Sequence, residues 1–502
     1  MRYYVTTAIP YVNGAPHVGH ALGLIEVDVL ARFHRMLGDE TRSQSGTDDN
    51  ALKNVQSAEA QGMAPGEYVA MVAENFQQLA ATLDITFDDF VKTGSDPRHA
   101  PAVEKIWNAC AASGDFYRKS YEGLYCQGCE AFYGEEELTD GKCPEHGVAP
   151  ELVHENNYFF RLSKYQDQLH DLISRDVLKV SPESRKREVL AFIERGLEDF
   201  STSRSMERAR GWGIPVPGDP EQVIYVWFDA LTNYITGPGY GTDDTTFDYW
   251  WDNADARVHV IGKGILRFHT MYWPAMLLSA GVKLPTQVFI HEYLTANGAK
   301  IGKSTGNSVD PVRLVEQYGS DALRWWMTAE VGLAGDTDFT EARLVARANE
   351  DLANNLGNLV NRTVSMVNRY RDGAVPALAS ENAAAGELRA ARDNALAAMT
   401  VAMDAYDFRR AAQVVTDLGD IANRYVEDQA PWALAKAEKT GADPAVLDAV
   451  LAELVVSCRA IAQLLEPFTP KGAAMMRAQL GDGDRVGTAE PIFRKLELST
   501  VE

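Results

Sequence analysis

The chain has 502 residues, 46% of them hydrophobic and 24% charged, a composition typical of a globular protein with about two to four domains. Its formal net charge of −23 excludes binding of nucleic acid through the whole surface, although a local basic or aromatic patch remains compatible with it. The five cysteines do not form a disulfide framework, and the first residues lack the apolar core of a signal peptide, so we expect a reducing cytoplasm as the setting.

The first predicted element is a buried strand at 3–8, which is apolar and rich in β-branched residues. It runs into a loop, residues 10–20, that reads Pro-Tyr-Val-Asn-Gly-Ala-Pro-His-Val-Gly-His. This loop opens a helix predicted at 18–37, with Pro16 near its first position. The chain therefore begins with a strand, a Gly/Pro loop and a helix.

Two histidines mark the start of that helix. His17 and His20 stand three apart, so they share one helix face, and Gly19 between them leaves room for a flat ring to lie close. A helix N-terminus favours phosphate, and imidazoles can donate hydrogen bonds to charge that develops on a phosphoryl group. The ordinary alternative is a histidine pair on a surface helix, but the position between strand and helix favours a phosphate site.

Short apolar strands alternate with helical patterns in the first part of the chain, which predicts a parallel sheet. Further strands are predicted at 40–45, 223–228, 257–261 and 287–290, and a further helix at 51–61. Between about 116 and 222 the composition shifts to cysteine, glycine, aromatic and charged residues. The simplest interpretation is one nucleotide-binding sheet that is interrupted by an insertion.

Four potential metal ligands lie within this insertion. Cys126 and Cys129 are followed by Cys143 and His146, with two residues inside each couple. Each couple forms a tight turn that points two ligands at one centre, and the gap between the couples is long enough for a hairpin. Such a ligand set suits tetrahedral Zn²⁺ with no open position, so we predict a structural zinc site. A metal-free cysteine loop or a redox pair is the alternative.

A second candidate for phosphate binding is the segment 297–307, Asn-Gly-Ala-Lys-Ile-Gly-Lys-Ser-Thr-Gly-Asn, before a helix predicted to start near Pro311. Lys300 and Lys303 stand three apart among glycines, and such a mobile cationic loop can close on a polyphosphate leaving group. The spacing is not that of a Walker loop. Loops of this composition are usually solvent-exposed and without a function, so the segment alone does not indicate a phosphate site. It supports one because it occurs together with the histidine motif.

Beyond about residue 343, helical periodicity dominates and strand patterns end. Helices are predicted at 349–370, 390–405, 409–429 and 444–465, as in a helical bundle. The most apolar late stretch, 446–465, contains Asp448, Glu453 and Arg459. We therefore expect it to pack as an amphipathic helix and not to cross a membrane.

The pairing of the two phosphate motifs resembles the class I aminoacyl-tRNA synthetases, whose signatures are His-Ile-Gly-His and Lys-Met-Ser-Lys-Ser. Here these read His17-Val18-Gly19-His20 and Lys300-Ile301-Gly302-Lys303-Ser304. Within that class the chain is most similar, over nearly its whole length, to the methionyl-tRNA synthetase family. The other shared stretches are Pro10-Tyr11-Val12-Asn13-Gly14, Tyr225-Val226-Trp227-Phe228-Asp229-Ala230, Arg267-Phe268-His269 and Gln429-Ala430-Pro431-Trp432. The zinc knuckle matches a branch of the family with one such knuckle.

The resemblance implies an α/β fold, with a class I synthetase-type parallel nucleotide-binding sheet, a zinc-knuckle insertion and an all-α anticodon-binding bundle after it. The implied domains are 1–115 and 223–305 for the two halves of the nucleotide-binding domain, 116–222 for the insertion, 306–345 for a stem-contact region and 346–502 for the bundle. The implied activity is ATP-dependent attachment of L-methionine to tRNA(Met) through methionyl-adenylate. Mg²⁺ would accompany ATP. We expect a monomer, because no dimerisation domain follows the bundle.

The resemblance also implies roles for individual residues. Catalysis would involve His17, His20, Lys300 and Lys303, and the contacts to ATP would come from His17, Gly19, His20, Lys303 and Ser304. Asp48 would hold the α-ammonium group of the amino acid substrate. The pocket for the side chain of the substrate would be lined by Ile9, Tyr11, Trp227, Ala230, Tyr234 and His269. Asn358, Arg362 and Trp432 would read the CAU anticodon by hydrogen bonds and stacking, which is how unpaired RNA bases are usually recognised.

Some positions depart from the family pattern. Gly264 stands where Asp is usual, Asp48-Asp49-Asn50-Ala51 stands where Asp-Glu-His-Gly is usual, Ile301-Gly302 replace Met-Ser, and Glu292 follows His291 where Gly is expected. Drift with local compensation explains these changes most simply. The alternative is a divergent paralogue that resists an inhibitor or activates a methionine analogue.

Two other classes of protein compete with this interpretation. A nucleotidyltransferase that adenylates a small carboxylate without tRNA would not need the helical third of the chain. A non-enzymatic, zinc-bearing RNA-binding module would leave both phosphate motifs unexplained. Ordinary charging of tRNA with methionine is the interpretation that we favour.

Overall fold

The computed structural model describes residues 1–126, 131–145, 147–296, 298–301 and 308–498. The chain forms two compact units. One consists of Met1–Pro16, His34–Ala81 and Ile85–His291, and the other of His17–Phe33, Thr82–Asp84 and Glu292–Glu502.

The chain up to residue 291 contains both helices and strands. The first are β1 (Arg2–Thr7), α1 (Val18–Met36), β2 (Glu40–Thr47), α2 (Leu52–Ala60), α3 (Pro65–Thr82), β3 (Asp89–Lys92) and α4 (His99–Ala112). Then follow β4 (Phe116–Cys126), β5 (Ala131–Tyr133), β6 (Glu151–Phe160), α5 (Gln166–Ser174), β7 (Lys179–Ser181), α6 (Glu183–Glu194), β8 (Phe200–Ser201), β9 (Ser203–Ser205), β10 (Pro215–Val216) and β11 (Asp219–Ile224). The last are α7 (Val226–Thr236), α8 (Asp244–Phe247), β12 (Ala256–Gly262), α9 (Trp273–Ala280) and β13 (Gln287–His291).

The main sheet of this unit has six strands in the order β3-β2-β1-β12-β13-β7, and every neighbouring pair is parallel. The predicted parallel sheet is thus confirmed. The strand order reverses between β1 and β12, and sheets of this type bind ligands at the carboxyl ends of their strands beside such a reversal. The segments that follow β1, β2 and β12 carry Tyr11, Asp48 and His269, so the fold brings these side chains to that end of the sheet.

Strand β7 lies inside the segment 116–222 that the composition assigns to an insertion, yet it pairs with β13 at the edge of the main sheet. A strand of three residues is too short for a period-2 pattern to reveal it. The rest of the segment leaves the main sheet and forms two antiparallel sheets, β5-β4-β6-β8 and β10-β11-β9.

The strand predicted at 223–228 is wrong in its second half. Strand β11 ends at Ile224, and helix α7 begins at Val226 after Tyr225, whose backbone is extended (φ −63°, ψ 135°). Every residue of α7 is buried, and the helix begins with the apolar run Val226-Trp227-Phe228. A short apolar run of this kind cannot be distinguished from a buried strand by periodicity.

The second unit is mainly helical. Its elements after residue 291 are β14 (Leu294–Ala296), β15 (Ala299–Lys300), α10 (Pro311–Tyr318), α11 (Ser320–Glu330), β16 (Thr337–Asp338), α12 (Glu341–Arg347), α13 (Asn358–Arg371), α14 (Gly386–Asp404), α15 (Phe408–Gln429), α16 (Pro431–Glu438), α17 (Pro444–Leu465) and α18 (Pro470–Leu480). The four predicted bundle helices are confirmed, although the first is divided into a π-helical turn at Ala348–Gly357 and α13. Among the described residues, no helix is long and apolar enough to cross a membrane.

A buried ion pair fixes helix α1 within the second unit. The guanidinium of Arg324 lies 2.7 Å from the carboxylate of Asp28, and both side chains are fully excluded from solvent. Arg324 also donates hydrogen bonds to the carbonyl oxygens of Leu83, Pro467 and Phe468. Asp28 balances the charge of Arg324, and the carbonyl oxygens accept its remaining donors. This contact therefore holds α1, the helix that begins at the histidine motif, against α11.

Candidate functional site

The histidine motif forms the first turn of α1. His17 and His20 are half-buried, and their rings lie with centroids 3.8 Å apart and planes tilted by 31°. A Cβ on Gly19 would lie 3.0 Å from the His17 ring, so this glycine makes the ring position available. The flat ring that Gly19 accommodates is therefore the imidazole of His17.

Backbone hydrogen bonds fix the tautomer of both rings. The N–H of Gly19 donates to Nδ1 of His17, and the N–H of His17 donates to Nδ1 of His20, each over 3.1 Å. A ring nitrogen that accepts a hydrogen bond carries no proton, so the proton of each neutral ring is on Nε2. The free N–H groups of the helix start are thus used to turn both histidines into Nε2–H donors, which is the arrangement that a phosphate oxygen requires.

An aromatic cluster lies at the carboxyl end of the main sheet. Trp227 stacks in parallel on Phe268 with a centroid distance of 3.8 Å, and Tyr11 meets Trp227 edge-on at 6.1 Å. His269 meets Trp227 edge-on at 6.4 Å. The structure thus brings together side chains from three segments that are far apart in sequence. Of the other predicted members, Ala230 is buried on α7, and Ile9 is half-buried in the segment after β1.

His269 is neutral and fully oriented. Its Nδ1–H donates to the carbonyl of Ile265 over 2.9 Å, so Nε2 accepts the hydroxyl proton of Tyr234 over 2.7 Å. Burial lowers the pKa of His269 to about 4 and raises the pKa of Tyr234 above its usual range. Both groups are therefore uncharged at neutral pH, and their polar atoms already satisfy each other.

Asp48 supplies a carboxylate beside this cluster. It follows β2 directly, is 2% exposed, and its backbone pairs with Tyr11 while its N–H donates to the carbonyl of Pro10 over 2.9 Å. After burial, the negative charge of Asp48 is the second cause of the raised pKa of Tyr234, so the carboxylate lies within electrostatic reach of that residue. A buried carboxylate beside apolar rings can bind a cationic group that brings its own apolar chain.

The cluster contains two residues, Phe268 and Lys53, that are not among the predicted site residues. Phe268 lies inside the shared Arg267-Phe268-His269 stretch, so the sequence contains a signal for it. The ammonium of Lys53 lies 3.0 Å from the ring centroid of Tyr11. The sequence offers no pattern for Lys53, because the fold alone creates this contact.

The lysine motif is described only in part. Lys300 belongs to β15, whose backbone pairs with Thr295 of β14, but its side chain lies outside the described part of the structure. Lys303 and Ser304 also lie outside the described residues. Their predicted roles stay predictions.

The zinc candidate is likewise described in part. Cys126 ends β4 and Cys143 lies in a turn, and each is 1% exposed. The N–H of Gly147 donates to the carbonyl of Cys143 over 2.8 Å, which closes the tight turn after Cys143. Cys129 and His146 lie outside the described residues, and within 1–126, 131–145, 147–296, 298–301 and 308–498 no group of three or more candidate ligands is assembled.

The predicted anticodon residues lie in the helical bundle. Asn358 is exposed on the first turn of α13, Arg362 is one turn further on, and Trp432 lies in the first turn of α16 with 44% of its surface exposed. The guanidinium carbon of Arg362 is 6.0 Å from the centroid of the Trp432 ring, and its NH2 group donates to Glu427 over 2.7 Å. The structure thus joins an exposed ring to an arginine, and Glu427 is a neighbour that the sequence did not indicate.

Comparisons with known proteins cover nearly the whole chain. The family model of tRNA synthetases class I (M) matches residues 3–149 and 136–364, and the model of the anticodon binding domain of methionyl tRNA ligase matches 375–497. A methionine–tRNA ligase of Caldanaerobacter subterraneus subsp. tengcongensis is 42% identical over 98% of this chain and 75% of its own. A methionine–tRNA ligase of Thermosynechococcus vestitus is 42% identical over 99% and 98% of the two chains. The crystal structure of Mycobacterium tuberculosis methionyl-tRNA synthetase bound by methionyl-adenylate has 37% identity and a TM-score of 0.93, and the match covers 98% of this chain and 100% of that one.

Proposed function

The chain belongs to the methionyl-tRNA synthetase family of class I synthetases, and we propose from this premise that it activates L-methionine with ATP and transfers it to tRNA(Met). The observation that carries the proposal is the match along essentially the full chain to a synthetase that binds methionyl-adenylate. In the first step the methionine carboxylate attacks the α-phosphorus of ATP, and pyrophosphate leaves. In the second step the 3′ hydroxyl of the tRNA takes the methionyl group, and AMP leaves.

The histidine motif is assigned to the α-phosphate of ATP. His17 and His20 present Nε2–H donors that their own helix has already oriented. Donors that are fixed in advance stabilise the negative charge of the transition state without reorganisation. Positioning and electrostatics therefore carry this step, and no general base is needed.

The cluster around Trp227 is assigned to methionine. Asp48 takes the α-ammonium group, while the rings of Tyr11 and Trp227 pack against the flexible thioether side chain. Since Tyr234 and His269 are neutral and already bonded to each other, these two residues present no charge to the substrate side chain. A charged or strongly hydrated side chain would lose its hydration there without compensation.

The remaining nucleotide contacts are assigned to Lys300, Lys303 and Ser304, which would bind the β- and γ-phosphates and the departing pyrophosphate. Mg²⁺ accompanies the triphosphate and neutralises part of its charge.

A structural Zn²⁺ is proposed for Cys126, Cys129, Cys143 and His146. Two observations support it: Cys126 and Cys143 are both buried, and a backbone hydrogen bond closes a tight turn after Cys143, as zinc knuckles require. The ion would hold the two turns together and take no part in the reaction.

Recognition of the tRNA is assigned to the bundle. The exposed ring of Trp432 offers a stacking surface for an unpaired base, and Arg362 and Asn358 offer hydrogen bonds to base edges. We also propose a monomer in the cytoplasm, divided at the boundaries given by the sequence: 1–115, 116–222, 223–305, 306–345 and 346–502.

The test is methionine-dependent exchange of pyrophosphate into ATP, followed by charging of tRNA(Met). We expect exchange with methionine and charging of tRNA(Met) but of no other tRNA. Exchange with a methionine analogue and none with methionine would support the divergent paralogue that Gly264 and Asn50 suggest. Exchange that is retained in full, with no charging of any tRNA, would support the tRNA-independent nucleotidyltransferase.

A further inference from the structure

A histidine and an aspartate form a buried contact behind the proposed methionine pocket. Nε2 of His99, the first residue of α4, lies 2.5 Å from Oδ1 of Asp229 on α7. The two side chains are 0% and 1% exposed. Two ionisable groups that are wholly removed from water need each other's charge or proton, so neither can be altered alone without cost.

The hydrogen bonds around this pair account for its protons. The hydroxyl of Thr236 donates to the carbonyl of Thr232 over 3.1 Å, so it accepts the Nδ1–H of His99 over 2.9 Å. The other ring nitrogen shares one proton with Asp229, and the pair carries no net charge wherever that proton lies. The imidazole is therefore locked in orientation on both sides.

The second oxygen of Asp229 continues the chain of hydrogen bonds. Oδ2 of Asp229 accepts the side-chain amide of Asn50 over 2.7 Å. Asn50 lies two residues after Asp48, and the intervening N–H of Asp49 donates to the hydroxyl of Thr93 over 2.8 Å. The segment after β2 is thus bound to α7 by the side chain of Asn50 and to the residue after β3 by its backbone.

Two faces of α7 contact different parts of the molecule. Trp227, Ala230 and Tyr234 are spaced by three and four residues and lie on the face assigned to methionine. Asp229 and Thr236, seven residues apart, lie on the face that meets His99 of α4. Helix α7 therefore lines the proposed pocket with one face, and its opposite face is hydrogen-bonded to His99.

We propose that His99, Asp229 and Asn50 are positioning residues for amino-acid binding, which hold the segment that carries Asp48 at a fixed distance from the helix that carries Trp227. The inference rests on the proposed function, since it assigns these residues to the same methionine pocket. When the helix that carries Trp227 and the carboxylate of Asp48 are held at a fixed distance, the pocket accepts only a substrate whose α-ammonium group and side chain have the matching distance. None of the three residues contacts the substrate.

The test compares Asn50→Ala with Asn157→Ala in pyrophosphate exchange. Asn157 is the matched control, because it is buried in the same unit and its side-chain amide also donates to a carboxylate, that of Glu155, over 2.9 Å. We expect Asn50→Ala to raise KM for methionine about tenfold, as for the loss of one hydrogen bond to a charged group, with KM for ATP within about twofold of the parent. Asn157→Ala should leave KM for methionine unchanged.

A methionine KM within about twofold of the parent in Asn50→Ala would overturn the inference, and so would a parallel rise of both KM values, which is the mark of a general loss of structure. His99→Gln is the second variant; it should shift KM in the same direction, and it decides the question if Asn50→Ala does not fold. Absence of methionine-dependent exchange in the parent chain would remove the proposed function and this inference together. A parental KM in the variant removes only the inference.

Discussion

His17 and His20 place their imidazole rings with centroids 3.8 Å apart, and each accepts a backbone N–H of the same helix turn at Nδ1. The N-terminus of a helix has N–H groups without intrahelical partners, and here two of them set the tautomer of the histidines. The motif therefore needs its helix start as much as its two imidazoles. The spacing in the sequence predicts the shared face, but only the hydrogen bonds show which ring nitrogen carries the proton.

Replacement of His20 by Ala should lower kcat for pyrophosphate exchange by roughly 10²–10³, because one oriented donor to the transition state is lost. KM for methionine should change little. The matched control is His34→Ala on the same helix, since His34 stacks on Tyr3 and bonds to Asp39 in a purely structural setting. The control should lose thermal stability and keep its kcat. An unchanged kcat in His20→Ala would contradict the assignment.

The neutral state of His269 predicts a pH dependence of stability. Its pKa is about 4 in the folded chain and 6.5 in the unfolded chain, so between these values the unfolded state binds more protons and stability falls as pH falls. From pH 7 to pH 5 this residue should remove about 2 kcal/mol of unfolding free energy. Urea unfolding of the parent and of His269→Gln at both pH values measures the difference. An equally steep loss in both chains would mean that other groups, such as the buried His259, are responsible.

Zinc content tests the knuckle independently of activity. The purified chain should contain about one Zn²⁺ per molecule, and Cys143→Ser should lower this content, because a four-ligand site loses most of its affinity with one thiolate. The control is Cys110→Ser, a buried cysteine of α4 outside the knuckle, which should keep its zinc. Elemental analysis of dialysed protein gives the result. A parent chain without zinc would exclude the proposal.

Much of the architecture could be predicted because it depends on periodicity. The parallel sheet and the bundle helices follow from repeated apolar patterns, and the helix at Pro444–Leu465 was predicted with its observed bounds. The start of α7 and strand β7 could not be predicted, since the first lies in a short apolar run and the second has only three residues. Contacts such as Lys53 over Tyr11, or His99 with Asp229, join segments that only the fold brings together.

Removal of the exposed Trp432 ring should impair the charging of tRNA and leave the activation of methionine unchanged. Trp432→Ala should raise KM for tRNA(Met) at least about tenfold, because stacking of one base contributes about 1–3 kcal/mol. Pyrophosphate exchange, which needs no tRNA, should stay at the parental rate. Leu396→Ala, a change at another exposed apolar residue of the bundle, is the control and should affect neither reaction. Parental charging kinetics in Trp432→Ala would remove this residue from anticodon recognition.

Asp49 should be a source of instability at neutral pH. Burial raises its pKa to about 6, while a side-chain hydrogen bond with Thr47 and the N–H of Gly94, at 3.0 Å, oppose the rise only in part. An acid with a raised pKa in the folded state disfavours folding as it ionises, so its contribution worsens from pH 3.8 to about pH 6 and is constant above. Asp49→Asn keeps an acceptor for Gly94 and removes the charge, and it should therefore be more stable than the parent.

The gain in unfolding free energy should be about 2 kcal/mol larger at pH 8 than at pH 4, as urea unfolding of both chains at the two pH values would show. A gain of equal size at both pH values would mean that shape rather than charge is responsible. A loss of stability at pH 8 would show that the buried carboxylate is stabilised by its neighbours, contrary to this prediction.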